Sequence, residues 1–373
     1  MTVSNSTNNI GIRRRVAIII FIVLLIEIVF AQGALAESRD YTLDGTKRVP
    51  IPVTYSLKSV INNVESEDGE RIYFEAAEEI FINSQGYIFI ADTGNSRIIK
   101  LTRDGKLVDI FKEAGDRNLK APRGIFVDDD GNMYIADTGN HRVVHLSASG
   151  EFVEEFTKPD SGMLGENFTF EPSKIAVSPT GYIYVTRGQS IMIMDAYNRF
   201  RGYLGQSDIG FRFLDVILRK FASEEQKRAV IKRTAAVYTN FTLDENGMIY
   251  ATTLDHAEGE IKKLNSIGNN IYRNYSRADR KKLSDILTKT TLTSKPFIYG
   301  ERVDDDGKPI RPHFVDLAVD KNGIVTALEQ NTGKIYQYDQ EANLLAVFGG
   351  KSDQRGKFDF PTSIEVDDEG NIY

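Results

Sequence analysis

Apolar and polar residues alternate along this chain in a pattern that recurs six times. Each copy has an apolar residue, a second one two positions later, and a glycine six positions after the first. The copies begin at Ile80, Ile125, Ile175, Phe241, Leu317 and Ile364. Period-two alternation predicts a β-strand with one buried face, and the glycine predicts a tight turn into a second strand.

A third and a fourth strand complete the unit, most clearly at 98–102 and 107–111 and again at 143–147 and 152–156. Four short antiparallel strands in each copy are typical of a propeller blade. We therefore predict an all-β, six-bladed β-propeller over residues 54–373. The sixth blade is truncated in this prediction, because its copy stops at Tyr373 in the second strand, and residues 55–61 are expected to supply its outermost strand.

Two long intervals between copies predict helical insertions at 206–236 and 270–312. In the first, Leu214, Ile217, Leu218 and Phe221 follow helical spacing, and residues 276–289 are the helix candidate in the second. Because successive strands alternate in direction, both insertions are expected at the same end of the blades as the loops between second and third strands. Residues 211–233 carry seven Lys/Arg against three Asp/Glu, so this end should be basic.

The first 36 residues have the parts of an export signal. Arg13, Arg14 and Arg15 precede an apolar run from Val16 to Ala31, and Ala34-Leu35-Ala36 resembles a cleavage site. An uncleaved membrane anchor is the alternative, and residues 37–53 are expected to form a linker. Both alternatives predict an extracytoplasmic protein, secreted or held at the cell surface. The absence of cysteine is typical of an exported bacterial protein and excludes disulfides and thiolate metal sites.

Residues 92–97 and 137–142 read Asp-Thr-Gly-Asn-x-Arg after a strand that ends in Ile-Ala. This sequence resembles the NHL repeat, and the overall layout is similar to exported bacterial NHL-repeat and gluconolactonase-like proteins. The resemblance implies a six-bladed propeller used for binding. It also implies, for the gluconolactonase type, a divalent metal at the channel mouth held by Glu, Asn and Asp from different blades.

The residue just before each copy should enter the central channel at the basic end. These positions hold Glu79, Gly124, Lys174, Asn240, Asp316 and Ser363. By the resemblance, Glu79, Asn240 and Asp316 are candidates for a Ca²⁺ or Zn²⁺ site. Lys174 departs from that set, because its ammonium would repel a cation or replace it by pairing with the carboxylates.

We predict a ligand-binding site whose charge is set by Glu79, Lys174, Asn240 and Asp316 and whose rim holds Arg97, Arg142, Lys220 and Arg228. For Arg97 and Arg142, bridging between neighbouring loops is the structural alternative. Plain polar lining of the channel is the alternative for the whole set.

The leading functional prediction is a non-enzymatic binding module without a cofactor, for a protein, a carbohydrate or an anionic ligand. A metal-dependent lactonase-like hydrolase and a structural module of a membrane-associated complex are the alternatives. A net charge of −7 argues against nucleic acid as a partner.

Overall fold

The computed structural model describes residues 40–161, 164, 168–188, 190–204, 238–254, 260–265, 270–272, 299–304, 307–352 and 357–373. The chain divides into two compact units, Met1–Ser56 and Leu57–Tyr373. In the first, strands β1 (Tyr41–Asp44) and β2 (Lys47–Pro50) form an antiparallel hairpin, so the expected linker contains regular structure. Among the described residues, no helix is long and apolar enough to cross a membrane. The predicted signal or anchor at 1–36 lies outside them.

The second unit contains five antiparallel sheets built on the repeated pattern. Blade 1 contains β5 (Glu79–Ile82), β6 (Ile88–Asp92), β7 (Arg97–Leu101) and β8 (Leu107–Phe111). Blade 2 contains β11 (Gly124–Val127), β12 (Met133–Asp137), β13 (Arg142–Leu146) and β14 (Phe152–Phe156). Blade 3 contains β15 (Ile175–Val177), β16 (Ile183–Arg187), β17 (Ser190–Met194) and β18 (Phe200–Tyr203).

Among the described residues of the second unit, blade 4 has three strands and blade 5 has four. Blade 4 contains β19 (Tyr238–Leu243), β20 (Ile249–Thr253) and β21 (Ile261–Leu264). Blade 5 contains β22 (Phe314–Val319), β23 (Val325–Glu329), β24 (Lys334–Tyr338) and β25 (Leu344–Gly349). Two small hairpins precede blades 1 and 2: β3 (Asn63–Glu65) with β4 (Arg71–Tyr73), and β9 (Glu113–Ala114) with β10 (Arg117–Asn118).

The turn after each innermost strand explains why the local sequence folds this way. In blade 2 the Asp128 carboxylate accepts the backbone N–H of Asn132 at 2.8 Å, and Gly131 takes a φ of +87°. Asp244 with Gly247 and Asp320 with Gly323 repeat this arrangement. The aspartate thus closes the turn with its own side chain, and glycine supplies the left-handed backbone that other residues avoid.

The first five starting residues of the copies lie on innermost strands and pack between neighbouring blades. Ile125, Phe241 and Leu317 are almost completely buried. One apolar cluster combines blade 1 with blade 2 around Ile125, and another combines blade 3 with blade 4 around Phe241. The prediction of an all-β propeller is confirmed, and five of the six starting residues lie on central strands, whereas Ile364 lies on none.

The prediction of six blades is wrong, because the described residues form five. The last copy forms only an isolated bridge between Val366 and Ile372, and residues 51–62 contain no strand to extend it. Two short stretches joined by one bridge do not make a sheet. The segment nevertheless lies against blade 1, where Ser363 Oγ accepts the Ile80 N–H at 3.3 Å and Arg103 pairs with Glu369.

Neither predicted helical insertion is seen among the described residues. The insertion at 206–236 lies outside the described residues, as does the helix candidate at 276–289. In the described parts of 270–312, the backbone instead forms the bridges Leu264↔Asn270 and Val303↔Pro309. The described residues contain no α-helix, only 3₁₀ turns at Thr93–Asn95 and Thr138–Asn140.

Candidate functional site

The candidate site lies where the innermost strands begin, at the end of the blades that holds the crossovers between them. Glu79 and Gly124 are the first residues of β5 and β11. Asn240 and Asp316 follow a shift of register at the start of β19 and of β22. Because such a bulge re-aims the side chains beside it, the two side chains can turn toward each other.

Asp316 joins three innermost segments through its carboxylate. Its Oδ1 accepts hydrogen bonds from Asn240 Nδ2 at 2.6 Å and from the Leu317 N–H at 2.8 Å. Its Oδ2 accepts hydrogen bonds from Ser363 Oγ at 2.7 Å and from the Ile364 N–H at 2.9 Å. Asp316 is 1% exposed, so four donors replace the water that a carboxylate needs.

Glu79 and Lys174 form an ion pair between blade 1 and blade 3. The Lys174 ammonium donates to Glu79 Oε1, and the two side chains are 12% and 4% exposed, respectively. The Lys174 backbone N–H donates to Thr186 Oγ1 at 2.8 Å, which holds the start of β15 in place. Both charges are largely removed from water, so each depends on the other for compensation.

Glu365 belongs to the same cluster and was missed in the sequence. It is surrounded by protein, although part of its surface remains accessible, and its Oε1 accepts the neighbouring Val366 N–H at 3.1 Å. Burial raises the pKa of Glu365 from 4.5 to about 7, Lys174 opposes the rise, and the charge of Asp316 adds to it. The sequence signal that could have identified Glu365 is its position, because it lies two residues after Ser363 in the same period-two alternation.

A second ion pair joins Glu78 and Arg123, which directly precede Glu79 of blade 1 and Gly124 of blade 2. Arg123 Nε is 3.4 Å from Glu78 Oε2, and both side chains are partly exposed. Burial raises the pKa of Glu78, and the charge of Arg123 partly offsets this effect. These residues precede Glu79 and Gly124, so the start of the inner strands carries two layers of charge.

The three predicted metal ligands do not form one open set. Asn240 and Asp316 bond to each other, whereas Glu79 bonds to Lys174. Within the described ranges, no three His, Asp or Glu side chains are grouped in a way that could hold a metal ion. The Lys174 ammonium pairs with Glu79, whereas the other carboxylate expected to pair with it, Asp316, accepts hydrogen bonds from Asn240 and Ser363 instead.

The two Asp-Thr-Gly-Asn-x-Arg loops are closed structural units. Arg142 donates from Nε to Asp137 Oδ2 at 2.8 Å and from Nη1 to Glu155 Oε2 at 2.7 Å, and its side chain is 1% exposed. Arg97 donates from Nε to Asp92 at 2.6 Å and from Nη2 to the Tyr73 carbonyl at 2.8 Å. Bridging between loops therefore describes both arginines, and Arg142 is inaccessible to a ligand.

The glycine of these loops allows two backbones to approach closely. Gly94 N–H donates to the Glu75 carbonyl at 2.9 Å, and a Cβ on Gly94 would lie 2.7 Å from that oxygen. Gly139 and Lys120 repeat the contact in blade 2. The loop thus clamps the crossover that leads into its own blade. The other predicted rim residues, Lys220 and Arg228, lie outside the described residues.

Comparison with known proteins identifies the repeat. Residues 119–146 match the model of the NHL repeat. This range includes strands β11 and β12 and the whole of the 137–142 loop. A search of curated proteins finds no match to this sequence.

Solved structures resemble the chain at low sequence identity. A streptogramin B lyase covers 83% of this chain and 88% of its own, with 14% identity and a TM-score of 0.47. A protein of unknown function from Bacteroides caccae covers 88% and 98%, with 10% identity and a TM-score of 0.47. The hydrazine synthase of Kuenenia stuttgartiensis covers 86% and 98%, with 12% identity and a TM-score of 0.45.

The five sheets supply the architecture and the 119–146 match supplies the repeat type. The chain is a β-propeller that contains an NHL repeat at residues 119–146.

Proposed function

We propose that the protein is an extracytoplasmic, non-enzymatic binding module that recognises a ligand or partner at the end of the propeller where the inner strands begin. The observation that carries this proposal is the internal pairing of the charged mouth. Lys174 neutralises Glu79, and four donors occupy Asp316. A carboxylate with its lone pairs occupied is poorly placed to bind a metal or to act as a general base, whereas a rigid polar surface favours recognition.

The predicted ligand is anionic, a carbohydrate or a protein surface. Lys174 keeps 12% of its side chain exposed, and Arg123 keeps 48%. These two cations are the described basic groups at the mouth, and each is paired with a carboxylate, Lys174 with Glu79 and Arg123 with Glu78. The export segment predicted at 1–36 supports a ligand outside the cytoplasm.

The test uses the full chain on an array of acidic and neutral saccharides, with thermal unfolding and lactone hydrolysis measured in parallel. We expect binding of an acidic saccharide, which falls at least about tenfold in Lys174→Gln. Lys106→Gln, which removes an exposed lysine of blade 1, is the matched control and should bind normally.

A metal-dependent lactonase would give a different result. It would show a rise in melting temperature with Ca²⁺ or Zn²⁺ and lactone turnover that disappears in Asp316→Ala. Those two results together would overturn the proposal. Failure of the array to bind any saccharide would remove the carbohydrate ligand and leave a protein partner to be sought by cross-linking at the cell surface.

A further inference from the structure

Phe360 has a backbone conformation that a bulky residue rarely adopts. Its φ is +49°, in the left-handed region, and its side chain is 59% exposed. A bulky residue in this region is a genuine outlier, and such strain persists where the surroundings impose it, often at functional sites. Phe360 also lies three residues before Ser363, which binds Asp316 at the mouth.

Equivalent positions show that this backbone does not require an aromatic side chain. Ala76 and Ala121 also lie three residues before the mouth positions of their blades, with φ of +46° and +43°. The crossover therefore imposes the conformation in several blades, and two of them use alanine. The phenyl ring of Phe360 is an addition that the fold does not need.

Hydrogen bonds on the C-terminal side hold the Phe360 segment against its neighbours. Gln330 Nε2 donates to the Pro361 carbonyl at 3.2 Å, and Thr362 Oγ1 donates to the Ala77 carbonyl at 3.2 Å. The strained backbone is thus fixed between blade 5 and blade 1. A backbone held in this way loses little further conformational freedom when a ligand covers the ring.

The surroundings of Phe360 are basic and aromatic. The Lys351 ammonium lies 3.8 Å from the centre of the Phe360 ring and 3.1 Å from Asp359. Lys357 donates to the Gly349 carbonyl, and Phe358 is 36% exposed. We call Lys351, Lys357, Phe358 and Phe360 the basic–aromatic patch.

We propose that the basic–aromatic patch binds an acidic polysaccharide whose sugar rings carry carboxylates, with one pyranose stacked on Phe360. Lys351 lies over the ring of Phe360, and the residue remains 59% exposed, which leaves surface for a ligand to contact. The axial C–H groups of a pyranose carry partial positive charge and are attracted to the negative face of an aromatic ring. Lys351 and Lys357 supply ammonium groups for the carboxylates. This inference rests on the proposed binding function and names its ligand class.

The direct test measures binding of the full chain to polygalacturonate. Fully methyl-esterified polygalacturonate, which has sugar rings without charge, and poly-L-glutamate, which has carboxylates without sugar rings, serve as comparison ligands. We expect polygalacturonate to bind more tightly than either. Phe360→Ala should weaken it at least about tenfold, Phe360→Tyr should retain it, and Lys351→Gln should weaken it.

A matched aromatic–cation pair exists at the opposite end of the blades. Arg199 lies over the ring of Tyr197, which is 79% exposed, in the turn between the third and fourth strands of blade 3. Tyr197→Ala should therefore leave polygalacturonate binding unchanged. Circular dichroism and urea unfolding of Phe360→Ala should match the wild type, since alanine occupies this backbone in blades 1 and 2.

The outcomes separate this inference from the proposed function. If the wild type binds polygalacturonate and Phe360→Ala binds equally well, the patch is wrong and the binding function stands. If the wild type binds poly-L-glutamate as tightly as polygalacturonate, the site takes an acidic protein and the polysaccharide is excluded. If the wild type does not bind polygalacturonate at all, the inference is overturned, and the saccharide array decides the proposed function separately.

Discussion

Replacing Glu365 by glutamine removes the titrating carboxyl from the channel mouth and keeps the size of the side chain. The glutamine Oε1 can still accept the Val366 N–H that Glu365 accepts at 3.1 Å. Lys174 and Asp316 are the charged groups that influence Glu365, and neither is altered. The substitution therefore isolates the titration of one buried group.

The expected magnitude follows from the shift in pKa. Burial raises the pKa of Glu365 from 4.5 to about 7 in the folded protein. At about 1.4 kcal/mol per unit, this shift amounts to at most about 3 kcal/mol. Because the raised value means that the folded state holds a proton that the unfolded state releases, the free energy of unfolding should fall as the pH rises from 4.5 to about 7.

Urea unfolding at pH 4.5, 6, 7 and 8 gives the required comparison. The wild type should lose stability relative to Glu365→Gln across this range, and the difference should level off above about pH 7. Glu369→Gln removes an acid from the same segment whose side chain is 66% exposed, and it serves as the control. Parallel pH profiles for the wild type and Glu365→Gln would refute the reasoning, because Glu365 would then titrate alike in both states.

Three further substitutions test the packing of the blades. Arg142→Ala should lower the free energy of unfolding by about 3–5 kcal/mol, because it leaves the carboxylate of Asp137 buried without its guanidinium. Arg97→Ala should cost less, since that side chain is 13% exposed and water can replace it, so equal losses in urea unfolding would contradict this account. Gly124→Ala should destabilise the protein by about 1–3 kcal/mol, because its Cβ would overlap the Ser173 carbonyl oxygen of the next blade. An unchanged melting temperature would show that blades 2 and 3 can separate without cost.

The repeat and its strands could be predicted because they depend on interactions between neighbouring residues. The period-two alternation around Ile125 determines which face of the strand is buried, and Asp128 and Gly131 close the turn within four residues. The same reasoning overestimated the number of blades. Whether the copy at Ile364 becomes a sheet depends on strands from elsewhere in the chain, and these do not appear in its local pattern.

The site was predicted in part, for a similar reason. The position before each copy identified Glu79, Lys174, Asn240 and Asp316 as polar residues near the start of inner strands, but their partners depend on the geometry of the ring. The Glu79–Lys174 pair joins residues 95 positions apart, and Asn240 and Asp316 are 76 apart. No local pattern specifies which carboxylate the ammonium meets.

The sequence by itself determined the strands, the aspartate–glycine turns and the resemblance to the NHL repeat, because backbone preference and side-chain alternation act over a few residues. Only the tertiary structure decided that the described residues form five blades, that Arg142 is buried, that partial burial raises the pKa of Glu365 and that Phe360 stays exposed on a strained backbone. These properties depend on which distant segments exclude solvent from a side chain, and exclusion of solvent is a property of the assembled ring.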